Sequence, residues 1–157
     1  MGVMDGQWNG FHEDGKKKYV TTYQNAMKNG YYARYFTNGS LEMVGSFKDD
    51  KRDGEWKLYY NRNGRIYRIG GYKEGIKDGF WKSYYEEGAL MMEESYSMGK
   101  LNGPYIRYFM NGKPELKCNY INDLKHGKYE LYNKEGELVV KYKYVKNEKV
   151  KVIKDKY

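Results

Sequence analysis

Few residues in this 157-residue chain have the chemistry of a catalyst. Its two histidines, His12 and His126, sit far apart in the sequence, whereas a metal site needs several ligands at defined spacings. The single cysteine, Cys118, excludes an intramolecular disulfide and a multi-cysteine metal site, and a free cysteine commonly serves as a small apolar group. The Asp and Glu residues read as turn residues or as partners of lysine, not as an isolated pair suited to acid–base work. Gly70, Gly71 and Gly75 lack the strand-to-helix setting of a phosphate-binding loop. The chain is therefore expected to be no enzyme, with no catalytic, metal or cofactor-binding residues. What recurs instead is tyrosine. Tyr35, Tyr59, Tyr84, Tyr108 and Tyr132 each follow a glycine by five positions, and this column is the expected partner-binding stripe.

The elements that must position the column repeat with it. The stretch from Gly54 through Trp56, Tyr59 and Tyr60 to Gly64 returns five times, its leading glycines being 6, 30, 54, 79, 103 and 127, a period of 24 with one of 25. Fixed self-similarity of this length signals a repeat array. Two positions after each glycine stands Trp8, Tyr32, Trp56, Trp81, Tyr105 or Tyr129. A third aromatic column is Tyr23, Phe47, Tyr72, Tyr96, Tyr120 and Tyr144. Aromatics at short spacings beside Gly, Asn and Asp, without a helical apolar stripe, read as strands. Each repeat thus predicts a hairpin closed by a two-residue turn such as Asn38-Gly39 or Asn111-Gly112. The third repeat, with its extra residue, takes a three-residue loop before Gly64. Polar turns at Asn29-Gly30, Asp53-Gly54, Asp78-Gly79, Asn102-Gly103 and His126-Gly127 are expected to join the repeats.

This register places Phe36 opposite Leu41, Arg34 opposite Met43 and Tyr32 opposite Gly45. It also sets Trp8 over Thr21, Trp56 over Gly70 and Tyr105 over Cys118, an aromatic over a small residue. Trp81 over Glu94 and Tyr129 over Tyr142 depart from that rule. Paired residues share a face. One face therefore gathers aromatics, leucines and methionines; the other carries Lys57, Lys82, Glu42, Glu115 and Lys117, striped by the tyrosine column. Pro114, inside a second strand, predicts a bulge or a lost ladder bond. Alternating Lys and Val over about residues 145–154 suggests a final capping strand whose lysines discourage edge pairing. The chain start near Met4 offers an edge for self-association.

Composition agrees with a folded aromatic array: 20 Tyr and 19 Gly accompany a mean hydropathy of −1.04. Disordered chains are poor in aromatics. The net charge of +8 is spread over every repeat, which suits solubility and a mild preference for acidic partners. No apolar run approaches the ~20 residues of a membrane span, and no signal peptide is visible, so a cytoplasmic location is expected.

The phrase Asp-Gly-x-Trp-x-x-Tyr-Tyr-x-x-Gly, clearest at Asp53-Gly54-Glu55-Trp56 to Gly64 and Asp78-Gly79-Phe80-Trp81 to Gly88, resembles the second variant of the MORN repeat. The resemblance covers about residues 6 to 144 in six tandem copies. It implies an all-β fold, an elongated, twisted antiparallel sheet of tandem hairpins, expected here as one domain over residues 1–157. Proteins made only of this variant resemble the YwqK-like bacterial group of antitoxin and immunity components. The first MORN variant, associated with membrane contacts, has Tyr two positions before the leading glycine; here those positions are Met4, Lys28, Arg52, Lys77, Leu101 and Lys125. The resemblance therefore implies a non-catalytic, protein-binding partner of a toxin. A basic chain with exposed aromatics also suits nucleic acid or an anionic membrane surface, and these are the competing expectations.

Overall fold

The computed structural model describes residues 2–155. Among these the fold is all-β: β1 (Gly6–Phe11), β2 (Lys17–Gln24), β3 (Met27–Tyr35), β4 (Leu41–Lys48), β5 (Lys51–Tyr59), β6 (Ile66–Lys73), β7 (Ile76–Tyr84), β8 (Leu90–Ser97), β9 (Lys100–Tyr108), β10 (Pro114–Ile121), β11 (Leu124–Tyr132), β12 (Leu138–Val145) and β13 (Glu148–Asp155). The chain divides into two compact units, one ending at Ile76 and one beginning at Lys77. In the first unit β1 to β6 pair antiparallel in chain order, and in the second β7 to β13 do the same. The final strand lies at Glu148–Asp155, three residues beyond the start expected for it.

The hairpin register follows the expectation at its centre. Trp8 lies opposite Thr21, Tyr32 opposite Gly45, Trp56 opposite Gly70, Trp81 opposite Glu94, Tyr105 opposite Cys118 and Tyr129 opposite Tyr142. Trp56 is fully buried and donates its indole N–H to the Ser46 carbonyl at 3.1 Å. Trp81 is as deeply buried. Its partner Glu94 is buried too, and accepts a hydrogen bond from the Tyr96 hydroxyl at 2.9 Å.

Three local expectations require correction. The hairpin loops are each one residue longer than expected. Phe36 N–H bonds the Ser40 carbonyl and Gly39 N–H the Phe36 carbonyl, enclosing three residues, and Gly39 alone among them has positive φ. A two-residue type I′ turn would need positive φ at Asn38 as well. The extra residue shifts the pairing between Arg34 and Tyr35, so Tyr35, not Phe36, stands opposite Leu41. The third-repeat loop runs between Tyr60 and Arg65 and encloses four residues. The bulge expected at Pro114 is present, between Pro114 and Leu116, though the same shift occurs at Ser83/Tyr84, where no proline stands, so the longer loop accounts for it.

The larger correction concerns the junctions. Asn29-Gly30, Asp53-Gly54, Asn102-Gly103 and His126-Gly127 are not turns; they lie inside β3, β5, β9 and β11, and Asp78-Gly79 lies inside β7. The true junctions are two-residue turns at Asn25-Ala26, Asp49-Asp50, Glu74-Gly75, Met98-Gly99, Asn122-Asp123 and Lys146-Asn147, all with φ between 48° and 83°. Both residues at positive φ is the signature of a type I′ turn, whose twist suits adjacent strands. Gly30, Gly54, Gly103 and Gly127 each sit at positive φ in a bulge. Between Thr21 and Tyr23 the partner strand passes from Tyr32 to Lys28, so three residues oppose one. The surplus of two keeps both flanks on one face.

Candidate binding surface

The expected tyrosine stripe is not uniform, and each unit treats it differently. The face that carries it has a central row of directly paired residues. In the first unit that row is Asn9, Val20, Ala33, Val44, Lys57 and Ile69. Ala33 and Val20 are buried although the face was expected to be charged, so here the expectation fails. Tyr35 and Tyr59 are half-buried beside this apolar row, and Tyr31 joins them at 49% exposure. Burial raises the Tyr31 phenol above its ordinary value, and the neighbouring Tyr35 and Tyr59 hydroxyls push the same way. The result is a cluster of phenols around a small apolar floor.

In the second unit the same row reads Lys82, Glu93, Ile106, Lys117, Glu130 and Lys141. Ion pairs join Lys82 to Glu93 at 3.4 Å and Lys141 to Glu130 at 2.7 Å. The tyrosines are absorbed into this ladder. Tyr108 donates to Glu93 at 2.7 Å, and burial together with that carboxylate pushes its phenol up to about 12. Tyr132 donates to Glu130 at 2.9 Å, beneath the Lys117 ammonium. Tyr84 is half-buried beside Ser83. Tyr35 and Tyr59 are thus brought together with Tyr31 in one partly exposed cluster, whereas Tyr108 and Tyr132 join the charge ladder.

The opposite face carries a column that the sequence reading passed over. Arg52 lies 4.5 Å from the Trp56 ring and 5.2 Å from Tyr72, to whose hydroxyl it donates at 3.0 Å. Lys28 lies over Phe47, Lys77 over Trp81 and Tyr96, Lys125 over Tyr129 and Tyr144, and Lys149 over Tyr142. Residues four apart in an extended strand stand about 13 Å apart. The positive-φ glycine between them folds that distance up, so that Arg52, Lys77 and Lys125, each two positions before the glycine, meet the ring two positions after it, Trp56, Trp81 and Tyr129. The available signal was the recurrent Lys or Arg at that position, cut away from its ring by taking the glycine as a boundary.

The residues with catalytic chemistry have other surroundings. His12 Nε2 is 3.0 Å from the Tyr35 carbonyl oxygen, a contact between successive hairpins of the first unit. His126 is half-buried within β11. Cys118 is buried, and burial pushes its thiol up against the opposing influence of Tyr120 and Lys125, leaving it a poor nucleophile. Among the described residues no group of three or more His, Cys, Asp or Glu could hold a metal ion. No helix among them is long and apolar enough to cross a membrane.

A family model described as a MORN repeat variant matches residues 4–25, 77–98 and 101–122. Each matched segment begins two residues before a positive-φ glycine, Gly6, Gly79 or Gly103, and closes on the first residue of a type I′ turn, Asn25, Met98 or Asn122. The family unit is therefore one hairpin of this fold: β1 with β2, β7 with β8, or β9 with β10. Repeats of this kind generally bind proteins or membranes and are generally non-catalytic. No curated protein matches the chain.

Proposed function

We propose that this chain is a non-catalytic protein-binding repeat protein that recognises its partner through the Tyr31, Tyr35 and Tyr59 cluster of the first unit. The observation that carries the reading is that these three phenols stand half-exposed beside the buried Ala33 and Val20. Tyrosine presents a large, stiff, amphipathic surface at low entropic cost, which is why interfaces are enriched in it. The resemblance to bacterial antitoxin and immunity repeats supports a toxin as the partner, met in the cytoplasm by a single repeat domain. Co-expression with the product of the adjoining gene should restore growth of a susceptible host. Replacing Tyr31 and Tyr59 by Ser should abolish that rescue and weaken binding at least tenfold by calorimetry, with the far-UV spectrum unchanged. Loss of the β-spectrum would instead make the cluster core, and an unaltered affinity would remove it from the interface.

A second reading, an anionic membrane or nucleic acid, is favoured by the column of ring-seated cations on the other face. It predicts salt-sensitive binding to single-stranded DNA or to phosphatidylserine vesicles, and insensitivity to the Tyr31 and Tyr59 changes.

A further inference from the structure

Several cations in this fold are held by carboxylates. Arg34 pairs with Glu42, Arg107 with Glu115, Lys57 with Glu55, Lys82 with Glu93, Lys141 with Glu130 and Lys16 with Asp14. Lys125 and Lys149 instead rest on rings and, among the described residues, have no carboxylate within ion-pair distance. They crown a compact cluster at the end of the second unit. Tyr129 stacks on Tyr142 with centroids 6.3 Å apart and planes 14° apart, and Tyr144 packs against both at 5.5 and 6.4 Å. Lys125 lies 5.1 Å from the Tyr129 centroid and 5.5 Å from Tyr144; Lys149 lies 4.2 Å from Tyr142. The stacked pair exists because Tyr142 stands where other repeats place Gly45, Gly70 or Cys118.

The surroundings reinforce the charge. Between residues 124 and 155 there are nine lysines against five carboxylates. The equivalent pair in the first unit, Lys28 and Arg52, is different: Asp49, Asp53 and Glu74 line the adjoining pocket with Lys48, Lys51 and Lys73, and Asp50 clasps the Lys28 main chain. Asn147, which is neutral, does the clasping at Lys125.

We propose that Lys125, Lys149 and the Tyr129–Tyr142–Tyr144 cluster receive an acidic, extended polypeptide segment of another protein. The inference deepens the protein-binding reading by assigning a second surface to a partner of stated chemistry. Charge complementarity selects an acidic occupant over a second copy, because β13 brings Lys149, Lys151 and Lys154 to any β13–β13 contact and like charges facing one another repel. Spacing selects an extended peptide. β11 and β13 are separated by one strand, so their lysines stand about 10 Å apart across the sheet. An extended chain advances about 10 Å in three residues, so carboxylates at i and i+3 meet the two ammonium groups in turn. The tyrosine edges supply polar rims, and cations already seated on rings need little reorganisation.

The test uses the full chain and two fluorescein-labelled peptides of equal composition, one with Glu at every third residue and one with its Glu residues in a single block, read by anisotropy at 50 and 300 mM salt (about a sixfold change, chosen to span screening). Tighter binding of the spaced peptide, reduced at least tenfold in the Lys125→Gln/Lys149→Gln double variant and retained in Lys125→Arg/Lys149→Arg, supports the site. Equal binding of both peptides, unchanged binding in the Gln variant, or tighter binding of oligothymidylate or phosphatidylserine vesicles overturns it. The Tyr31→Ser/Tyr59→Ser variant should bind the spaced peptide as the wild type does. Failure of the tyrosine surface and failure of this one are therefore read separately.

Discussion

Gly45 is glycine because the Trp56 ring occupies the place of a side chain: a Cβ built there would lie 2.4 Å from the indole. The ring cannot yield, since it is fully buried and held through Ser46. Gly45→Ala should therefore lower unfolding stability by about 2 kcal/mol, within the usual range for overpacking, measured by urea denaturation. A loss below about 0.5 kcal/mol would mean the indole is free to move. This contact was not legible in the sequence: counting back from the hairpin loops pairs Gly45 with Tyr32 and Trp56 with Gly70, and the indole reaches Gly45 from the neighbouring strand β5, across a junction expected as a turn at Asp53-Gly54. The buried Glu94 was legible only as a departure; that Tyr96 would donate to it depends on two side chains of one strand sharing a face.

At the level of the element, the junction turns were the part least open to sequence reading. Asx-Gly pairs serve equally at a tight turn and at a bulge, since both demand positive φ, and here they mark the bulges. The real turns use pairs as unpromising as Asn25-Ala26 and Lys146-Asn147, imposed by the strands on either side. They are clasped to the preceding hairpin. Asp123 N–H bonds the Leu101 carbonyl at 2.9 Å, while its Oδ1 accepts from the Leu101 N–H at 2.7 Å; Asp50 clasps Lys28 and Asn147 clasps Lys125 in the same way. Asp123→Ala should cost about 1–2 kcal/mol by stranding the Leu101 N–H and placing Ala at positive φ, whereas Asp123→Asn should keep most of the stability. Matching urea midpoints for the two variants would show the clasp to be inert.

Across the molecule, the repeat count and all-β class were legible because one pattern recurs in register through most of the chain. The binding surfaces were not, because they lie where repeats differ. Ala33, Val44 and Ile69 in one row, or Tyr142 in place of a small residue, acquire meaning only when the register shows what they face. The same register predicts how protection is distributed. Strands hydrogen-bonded on both sides, β2 to β5 in the first unit and β8 to β12 in the second, should hold the slowest-exchanging amides, with β1 among the fastest. Native-state hydrogen exchange followed by mass spectrometry would show this gradient; uniform exchange along each unit would contradict it.

The turn clasps carry one more consequence, for the order in which the chain is made. Each acceptor carbonyl, on Met4, Lys28, Arg52, Lys77, Leu101 or Lys125, precedes its donor by 22 or 23 residues. When a turn emerges from the ribosome, the group that secures it has already been synthesised and none of its clasp awaits a later segment. Growth of the array can follow translation, each hairpin closing on a finished one, so unpaired strand edges are exposed one at a time.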